Sequence, residues 1–261
     1  MLVLIIGDVM GSPGREAVKR VLPALRQEFD IHLVIANGEN AAGGRGLTRA
    51  TAEELMAAGV DVITSGNHIW DQAEMRRELD GPLPVLRPAN YPQGVPGRGF
   101  LLHKGVLVFN LAGRHFMQAL DCPFRAADRI LKEEGHRSNV RVVDFHAEAS
   151  SEKTALGWHL DGRVSAVVGT HTHVPTADQR ILPNGTAFVG DAGMTGPYNS
   201  VIGARPDRIV AHFLTQLPAR FEVADGPAVF NSVLVDIAAA SGKAKQITRV
   251  DRFVDDLSGT S

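Results

Sequence analysis

Short apolar segments rich in β-branched residues alternate with helical segments through the first half of this chain. Residues 2–6, 32–36, 60–64 and 140–145 have the composition of buried strands. Between the first two, residues 15–29 carry apolar side chains at spacings of three and four positions, the pattern of an amphipathic helix. A strand followed by a helix and another strand forms a crossover between parallel strands. The pattern therefore predicts an α/β fold with a sheet that is at least partly parallel.

The second half of the chain is richer in strands. Residues 166–169, 186–190 and 229–237 have strand composition and are separated by turns that contain glycine or proline. We therefore expect a second sheet or an antiparallel edge. The 261 residues, 44% of them hydrophobic, are enough to bury one large core, and no segment has the composition of a linker. A single domain over residues 1–261 is predicted.

Charge and cysteine content narrow the classes of protein that this sequence suits. Twenty-nine acidic residues against 27 basic ones leave a formal charge of −2, so an extended surface for duplex nucleic acid is not expected. Cys122 is the only cysteine, which excludes an intrachain disulfide and favours a reducing, cytoplasmic location. Asp8 interrupts the first apolar run, and no later run approaches the ~20 residues that cross a bilayer. We expect no membrane insertion.

Polar residues recur where the predicted strands end. Asp8 follows the first strand, and Glu39 with Asn40 follows the second. Asn67 and His68 follow the third. The carboxyl ends of the strands form the ligand-binding crevice of an open α/β sheet, so we expect these five side chains to converge.

Three histidines follow later strands: His146 comes after residues 142–145, and His171 with His173 after residues 166–169. Alternation along an extended segment would point His171 and His173 in the same direction. With the earlier residues, the strand ends supply three imidazoles, two carboxylates and two side-chain amides as ligands. This set exceeds the four ligands of one zinc site and suits two adjacent ions that share a bridging carboxylate. The sequence therefore predicts a dinuclear metal centre.

Two of these motifs resemble those of the calcineurin-like metallophosphoesterases. Gly66-Asn67-His68 is similar to that family's metal-binding asparagine followed by its catalytic histidine, and the Gly-Thr-His-Thr-His of residues 169–173 is similar to its closing Gly-x-His-x-His ligands. The sequence departs from the family at two positions. Met10 stands where the first motif, Asp-x-His, has its histidine, and Glu39 replaces the bridging aspartate. Asn40 is the adjacent candidate for the missing ligand.

Over nearly its whole length the chain is similar to the bacterial YmdB-like branch of this superfamily. The motifs that carry the similarity are Gly7-Asp8-Val9-Met10-Gly11, Asn37-Gly38-Glu39-Asn40-Ala41, His146-Ala147-Glu148, Thr170-His171-Thr172-His173 and Gly190-Asp191-Ala192-Gly193-Met194-Thr195-Gly196. The resemblance implies a four-layer αββα sandwich with two mixed sheets. It also implies a phosphodiesterase that acts on cyclic nucleotides, 2′,3′-cyclic or 3′,5′-cyclic AMP, with two divalent or mixed-valence ions of iron or manganese.

The resemblance further implies how the ligands divide between the two ions. The first ion would be held by Asp8, Glu39, Asn40 and His173, and the second by Glu39, Asn67, His146 and His171. A hydroxide that bridges the ions would attack phosphorus in line. His68 would bind neither ion. It would stabilise developing charge or protonate the leaving alkoxide, because imidazole titrates near neutral pH.

The residues on the substrate side are less constrained by the sequence. Thr195 and Tyr198 lie in a segment, residues 193–200, that is either an ordinary loop or a lid in which Tyr198 stacks on a base. Arg45 or Arg114 could fold over the site and contact a phosphate. We expect a small phosphodiester substrate, with RNA as another candidate, and a homo-oligomer is left open.

Several motifs also have plainer interpretations. Asp8 could cap the helix that follows it, and Asn40 could be a turn residue. Glu148 is expected to begin a helix rather than to bind metal. The glycines after the first strand lack Gly-x-Gly-x-x-Gly spacing, which argues against a nicotinamide-dependent oxidoreductase. The alternative function of another class is a nucleotide- or metal-sensing regulatory protein on the same scaffold, with little turnover.

Overall fold

The computed structural model describes residues 1–255. Its strands are β1 (Leu2–Ile6), β2 (Asp8–Val9), β3 (Ile31–Asn37), β4 (Val62–Thr64), β5 (Phe100–His103), β6 (Val106–Ala112), β7 (Val140–His146), β8 (Ala166–Thr170), β9 (Arg180–Ile181), β10 (Ala187–Val189), β11 (Met194–Pro197), β12 (Ala228–Phe230), β13 (Ser232–Ile237), β14 (Ala244–Arg249) and β15 (Arg252–Val254). Its α-helices are α1 (Gly11–Glu28), α2 (Arg49–Ala57), α3 (Met75–Glu78), α4 (Pro123–Glu134), α5 (Ser150–Leu160) and α6 (Pro206–Thr215), and a 3-10 helix covers Gly135–Arg137.

The alternating first half of the chain forms the parallel part of a five-stranded sheet. Strand β1 pairs in parallel with β3, and β3 pairs in parallel with β4. Strand β13 joins the other side of β1 in antiparallel direction and β14 follows, which gives the order β14-β13-β1-β3-β4. Helix α1 lies between β1 and β3 in the chain, and α2 between β3 and β4. The predicted α/β fold with a partly parallel sheet is confirmed.

A six-stranded sheet contains most of the middle of the chain. Its order is β5-β6-β7-β8-β10-β9. The four inner strands are parallel, and the edge strands β5 and β9 are antiparallel to their neighbours. Strands β7 and β8 end at His146 and Thr170, so both deliver polar residues at the same edge.

A third sheet, which the sequence did not predict, has four short strands in the order β15-β12-β11-β2. It exists because the chain changes sheets at Gly7, between β1 and β2. A Cβ atom at Gly7 would lie 1.8 Å from the carbonyl oxygen of Gly193, so only glycine allows this close approach. The switch pairs Asp8 with Met194 in parallel register. Asp8 is thereby positioned by a strand partner from the far half of the chain.

Helix α1 begins after Met10, whose side chain makes no capping hydrogen bond. Asp8 belongs to β2, so the interpretation of Asp8 as the helix cap is wrong. Helix α2 does have a side-chain cap, because the hydroxyl of Thr48 accepts a hydrogen bond from the backbone N–H of Thr51 (3.2 Å).

Alternation along the strands distributes the apolar residues among three buried clusters. Val3 and Ile5 of β1 belong to a cluster that includes Val106 of β6, so it is shared by the five- and six-stranded sheets. Leu4 and Ile6 point the other way and belong to a cluster with residues of α1 and α2. The third cluster joins the outer face of the six-stranded sheet to residues of α4 and α5. Within residues 1–255, no helix has the length and apolar character needed to span a membrane.

Candidate metal centre

Seven polar side chains from distant parts of the sequence meet at one place. Contacts of 3.9 Å or less link all of them, and the two partners of one such contact are 163 positions apart in the chain. The seven are the predicted metal ligands Asp8, Glu39, Asn40, Asn67, His146, His171 and His173. The expected convergence of strand-end residues is therefore what the structure contains.

The centre of this group is the Nε2 atom of His146, at the end of β7. Three electron-rich atoms surround it: Oε1 of Glu39 at 2.9 Å, Nδ1 of His171 at 3.0 Å and Oδ1 of Asn67 at 3.1 Å. One N–H group cannot serve three acceptors at these distances. Ligand atoms of Glu39, His146 and His171 all lie within 4.8 Å of one another. Lone pairs that converge in this way are the arrangement a metal cation requires.

Hydrogen bonds on the outer side of the rings fix which nitrogen of each histidine faces inward. Thr170 donates its hydroxyl proton to Oδ1 of Asp144 (2.7 Å), so its oxygen accepts from Nδ1 of His146 (2.9 Å). Nδ1 of His173 lies 2.8 Å from the carbonyl oxygen of Ile202, which can only accept. In its neutral form each of these two rings therefore carries its proton on Nδ1 and presents the lone pair of Nε2 to the cluster. Such outer partners are typical of metal-binding histidines.

His171 is oriented in the opposite sense. Its Nε2 lies 3.2 Å from Oε2 of Glu148, and its Nδ1 faces His146. Burial and the neighbouring His146 lower the pKa of His171 to about 3, so the ring is neutral at physiological pH. A neutral ring beside a carboxylate carries its proton on Nε2, which leaves the Nδ1 lone pair free for a cation.

Asp8 is fully buried, and one of its two carboxylate oxygens has no partner. Oδ2 accepts the backbone N–H of His171 (3.1 Å), whereas Oδ1 has no hydrogen bond. Oδ1 points towards the cluster, 3.9 Å from Nε2 of His173. Burial raises the pKa of Asp8, although the nearby histidines oppose the shift. A buried carboxylate oxygen without a partner is costly unless a cation completes its environment.

His146 and Glu39 form a buried pair in which each shifts the pKa of the other. Burial favours the neutral imidazole, but the negative charge of Glu39 outweighs it and raises the pKa of His146 to about 9. Burial likewise favours a neutral Glu39, yet the charge and hydrogen bond of His146 lower the pKa of Glu39 to about 2. A proton on His146 thus supplies the positive charge that a metal ion would supply. The donor set, the lone pairs and the unpartnered oxygen all fit a metal site.

A glycine makes room for the central imidazole. A Cβ atom at Gly66 would lie 2.0 Å from Cδ2 of the His146 ring, so any side chain there would displace the ring. The following residue, Asn67, then reaches His146 with its amide oxygen. The Gly-Asn-His motif therefore combines a close backbone approach with a predicted metal ligand.

His171 and His173 do not lie on an extended strand. The expectation that strand alternation points both side chains in the same direction is therefore wrong. Strand β8 ends at Thr170, and the φ angles of His171 and His173 are 101° and 66°. Left-handed backbone is uncommon for residues with a Cβ atom and needs support from its surroundings. The support comes from Asp191, whose Oδ2 accepts both the backbone N–H (3.1 Å) and the hydroxyl (2.8 Å) of Thr172.

Asp191 is itself held by a buried cation. Nζ of Lys153, on α5, lies 2.7 Å from Oδ2 of Asp191, and both side chains are buried. The sequence did not identify Lys153, Asp191 or Asp144 as part of the site. Asp191 lies in the motif of residues 190–196 that carries part of the family resemblance, and this was its only indication of a functional role. Lys153 and Asp144 sit in ordinary helix and strand patterns that give no such signal.

Comparison with known proteins places this geometry in a family. A family model described as YmdB-like protein matches residues 4–250. This chain belongs to the YmdB-like family. The predicted membership of this metallophosphoesterase-type branch is confirmed.

Relatives of the chain are known from sequence and from crystal structures. A 2′,3′-cyclic-nucleotide 2′-phosphodiesterase of Bacillus subtilis is 49% identical over 254 residues, covering 96% of each chain. A hypothetical protein from Thermus thermophilus superposes with a TM-score of 0.92 at 47% identity, covering 97% of this chain and 100% of the other. A protein of Mycoplasma pneumoniae, described as a novel phosphatase, also gives a TM-score of 0.92, at 33% identity and 98% and 95% coverage.

The histidine predicted to be catalytic in this YmdB-like chain lies beside the ligands and outside the cluster. The backbone N–H of His68 donates to Oε2 of Glu39 (3.0 Å), so its position is tied to the predicted bridging ligand. Its Nδ1 lies 2.9 Å from Oδ2 of Asp71 and 3.2 Å from Nε of Arg45. The sequence did not predict Asp71 as the partner of His68.

Met10, which stands where the family's first motif has a histidine, packs against neighbouring residues. The side chain of Met10 is buried against Gly196 and Gly203, where added Cβ atoms would lie 2.8 and 2.6 Å from it. The amide of Asn40 lies next to the cluster, with its nitrogen 3.2 Å from Nε2 of His173. A half-turn of that amide would present its oxygen instead, which is the metal-binding atom of asparagine.

The two predicted substrate contacts differ in exposure. Thr195 is buried, and its hydroxyl donates to the carbonyl oxygen of Asn231 (3.2 Å) and accepts the N–H of the same residue (3.1 Å). Tyr198 is exposed and packs edge-on against Phe253. Arg114 is exposed, and its backbone N–H donates to Glu152 (3.2 Å).

Proposed function

We propose that this chain is a metal-dependent phosphodiesterase that hydrolyses cyclic nucleotides, 2′,3′-cyclic or 3′,5′-cyclic AMP. The observation that carries the proposal is the convergence of the seven polar side chains, with outer hydrogen bonds that turn the histidine lone pairs inward. Membership of the family makes the chain a phosphoric diester hydrolase. The name of the Bacillus relative favours the 2′,3′-cyclic substrates.

The same contacts support two ions that share Glu39, with iron or manganese as the metal. His173 contacts both Asp8 and Asn40, the ligands proposed for the first ion. His146 contacts both Asn67 and His171, the ligands proposed for the second ion. Imidazole, carboxylate and amide ligands without any thiolate suit iron and manganese. Bound there, the ions would supply positive charge against the phosphoryl oxygens and activate water as the nucleophile.

The chain's own residues supply orientation and a proton. The outer partners Thr170, which is itself held by Asp144, and Ile202 keep the ligand rings in one orientation and one tautomer. Nδ1 of His68 is occupied by Asp71 and Arg45, which leaves its Nε2 as the atom that faces the leaving oxygen. We assign His68 the transfer of a proton to the leaving alkoxide. Thr195 and Tyr198 remain predicted substrate contacts.

Several further properties belong to the same proposal. The three apolar clusters support a four-layer αββα sandwich built on the five- and six-stranded sheets. The match of the family model to residues 4–250 supports a single domain. A cytoplasmic location, a homo-oligomeric assembly and RNA as a further substrate stay predictions.

The test is turnover by protein loaded with manganese or with iron under anaerobic conditions. We expect hydrolysis of 2′,3′-cyclic AMP or 3′,5′-cyclic AMP and of bis-p-nitrophenyl phosphate. Asn67→Ala and His171→Ala should lose about 100-fold or more in kcat/KM together with bound metal. His136→Ala is the matched control, because His136 is exposed at the opposite end of β7, and it should behave as wild type.

Two results would count against the proposal. Absence of turnover with both sites filled would contradict phosphodiesterase activity. Tight nucleotide binding under those conditions would support the regulatory protein instead. Unchanged metal content in Asn67→Ala and His171→Ala would contradict the assignment of the ligands.

A further inference from the structure

Arg45 lies on a glycine-rich loop that borders the metal centre. Gly43, Gly44 and Gly46 around it all have left-handed φ angles, between 64° and 90°. Despite this composition the loop is fastened at several points. Nη1 of Arg15 donates to the carbonyl oxygen of Ala41 (2.5 Å). The backbone N–H of Ala42 donates to the carbonyl oxygen of Gly46 (2.9 Å).

The position of Arg45 itself is fixed from the other side. The side-chain amide of Gln72 donates to the carbonyl oxygen of Arg45 (2.8 Å). Gly46 is packed against the same residue, since a Cβ atom there would lie 2.7 Å from Cγ of Gln72. These contacts join the loop to the segment after the Gly-Asn-His motif. The backbone of Arg45 is therefore held in place next to His68.

Among the contacts that the described residues make, the Arg45 guanidinium uses only its Nε edge. Its Nε lies 3.2 Å from Nδ1 of His68 and 2.5 Å from Oδ2 of Asp71. Within residues 1–255, neither Nη nitrogen donates a hydrogen bond, and 70% of the side chain is exposed. An exposed ion pair with Asp71 alone would add little stability. The free Nη edge is the part of arginine that binds two oxygens of a phosphate.

The neighbours of Arg45 define what would meet that free edge. His68 connects Arg45 to the cluster, because its backbone N–H donates to Glu39 (3.0 Å). Because Nε of Arg45 lies 3.2 Å from the His68 ring, a diester placed beside His68 would also lie beside the guanidinium.

We propose that Arg45 binds a non-bridging phosphoryl oxygen of the substrate while Asp71 holds its Nε edge. This inference rests on the proposed function, since it concerns the same substrate. It makes Arg45 a substrate-binding residue, distinct from the metal ligands and from the proton donor His68. The ligand class is an anionic phosphoryl group, and inorganic phosphate is the simplest probe of it.

The experiment compares Arg45→Gln and Arg45→Lys with wild type in the metal-loaded enzyme. Arg49→Gln is the matched control, because Arg49 is an exposed arginine on α2 that pairs with Glu53 and Glu78. The measurements are KM and kcat for bis-p-nitrophenyl phosphate, the dissociation constant of inorganic phosphate by calorimetry, and metal content.

Arg45→Gln should raise KM and the phosphate dissociation constant about 10-fold or more, since a charge-assisted hydrogen bond is lost. Metal content should stay at the wild-type value, Arg45→Lys should recover part of the affinity, and Arg49→Gln should match wild type. Wild-type phosphate affinity in Arg45→Gln would overturn the inference, and so would loss of metal, because Arg45 would then act through assembly of the centre. The calorimetric arm separates the two proposals, because it remains informative if wild type binds metal but hydrolyses no diester.

Discussion

Nε2 of His146 and Nδ1 of His171 face each other at 3.0 Å, and each ring directs its other nitrogen to an oxygen of the protein. Two lone pairs at this distance repel each other unless a proton or a cation lies between them. In the protein without metal, the charge of Glu39 raises the pKa of His146, and the proton that the ring then carries on Nε2 removes this repulsion. This pair therefore links the protonation state of the centre to its occupancy by metal, and testable consequences follow from it.

Metal binding should release the proton of His146. Its pKa is raised to about 9, so at pH 7 the ring is protonated and an incoming ion must displace that proton. Metal affinity should therefore rise about tenfold per pH unit up to about pH 9 and level off above it. Calorimetric titrations in two buffers of different ionisation enthalpy count the protons released. An enthalpy of binding that does not depend on the buffer would contradict the assignment.

Asp8→Asn should stabilise the metal-free protein while abolishing metal binding at the first site. The substitution replaces a fully buried carboxylate, whose Oδ1 lacks a partner, by a neutral amide. We expect the free energy of unfolding without metal to rise by roughly 1–3 kcal/mol, because a neutral amide costs less to bury than a carboxylate. Urea denaturation in the presence of a chelator measures it.

Asp144→Asn is the control for Asp8→Asn. Asp144 is equally buried, but it accepts hydrogen bonds from Asn37, Thr64 and Thr170. An amide nitrogen in place of one carboxylate oxygen cannot accept the hydrogen bonds made to that oxygen, so Asp144→Asn should destabilise the metal-free protein. Equal destabilisation by both variants would show that the unpartnered Asp8 carboxylate does not destabilise the metal-free protein.

Thr172→Val should weaken metal binding without removing a ligand. The hydroxyl of Thr172 donates to Asp191, and this contact supports the left-handed backbone of His171 and His173. Loss of a group that orients ligands typically lowers metal affinity 10- to 100-fold, so we expect a decrease of about this size. Thr172→Ser keeps the hydroxyl and should restore the affinity. Wild-type affinity in Thr172→Val, measured by competition with a chelator, would argue against this role.

His68→Gln should lower kcat about 100-fold or more and leave the metal content unchanged, because His68 contacts the ligands only through its backbone. The loss should be smaller for substrates with good leaving groups, which need no proton. Comparing a p-nitrophenyl diester with a cyclic nucleotide tests this difference. A uniform loss for both substrates would count against proton transfer by His68.

The convergence of these side chains was predictable because polar residues at strand ends stand out from apolar strands. Asp8, Glu39, Asn67 and His146 all follow buried runs, and parallel strands bring such ends together. The same reasoning fails for the shape of the His171–His173 turn. That turn depends on Asp191, 19 positions from Thr172, and no local pattern predicts this contact.

Short elements and close contacts account for the rest. Strand β2 has two residues, too few for any periodicity, so the third sheet was not predicted. The importance of Gly7 and Gly66 lies in distances of about 2 Å between their added Cβ atoms and residues far away in sequence. The ion pair between Lys153 and Asp191 joins a helix to a loop, and a lysine within a helix normally indicates an exposed position.

The number and position of bound ions test the central claim most directly. Crystals grown with manganese or iron, with anomalous scattering measured at the metal edge, locate the ions without reference to activity. We predict two peaks on either side of the Glu39 carboxylate, one next to Asp8, Asn40 and His173 and the other next to Asn67, His146 and His171. A single peak, or none within reach of these side chains in protein saturated with metal, would contradict the account.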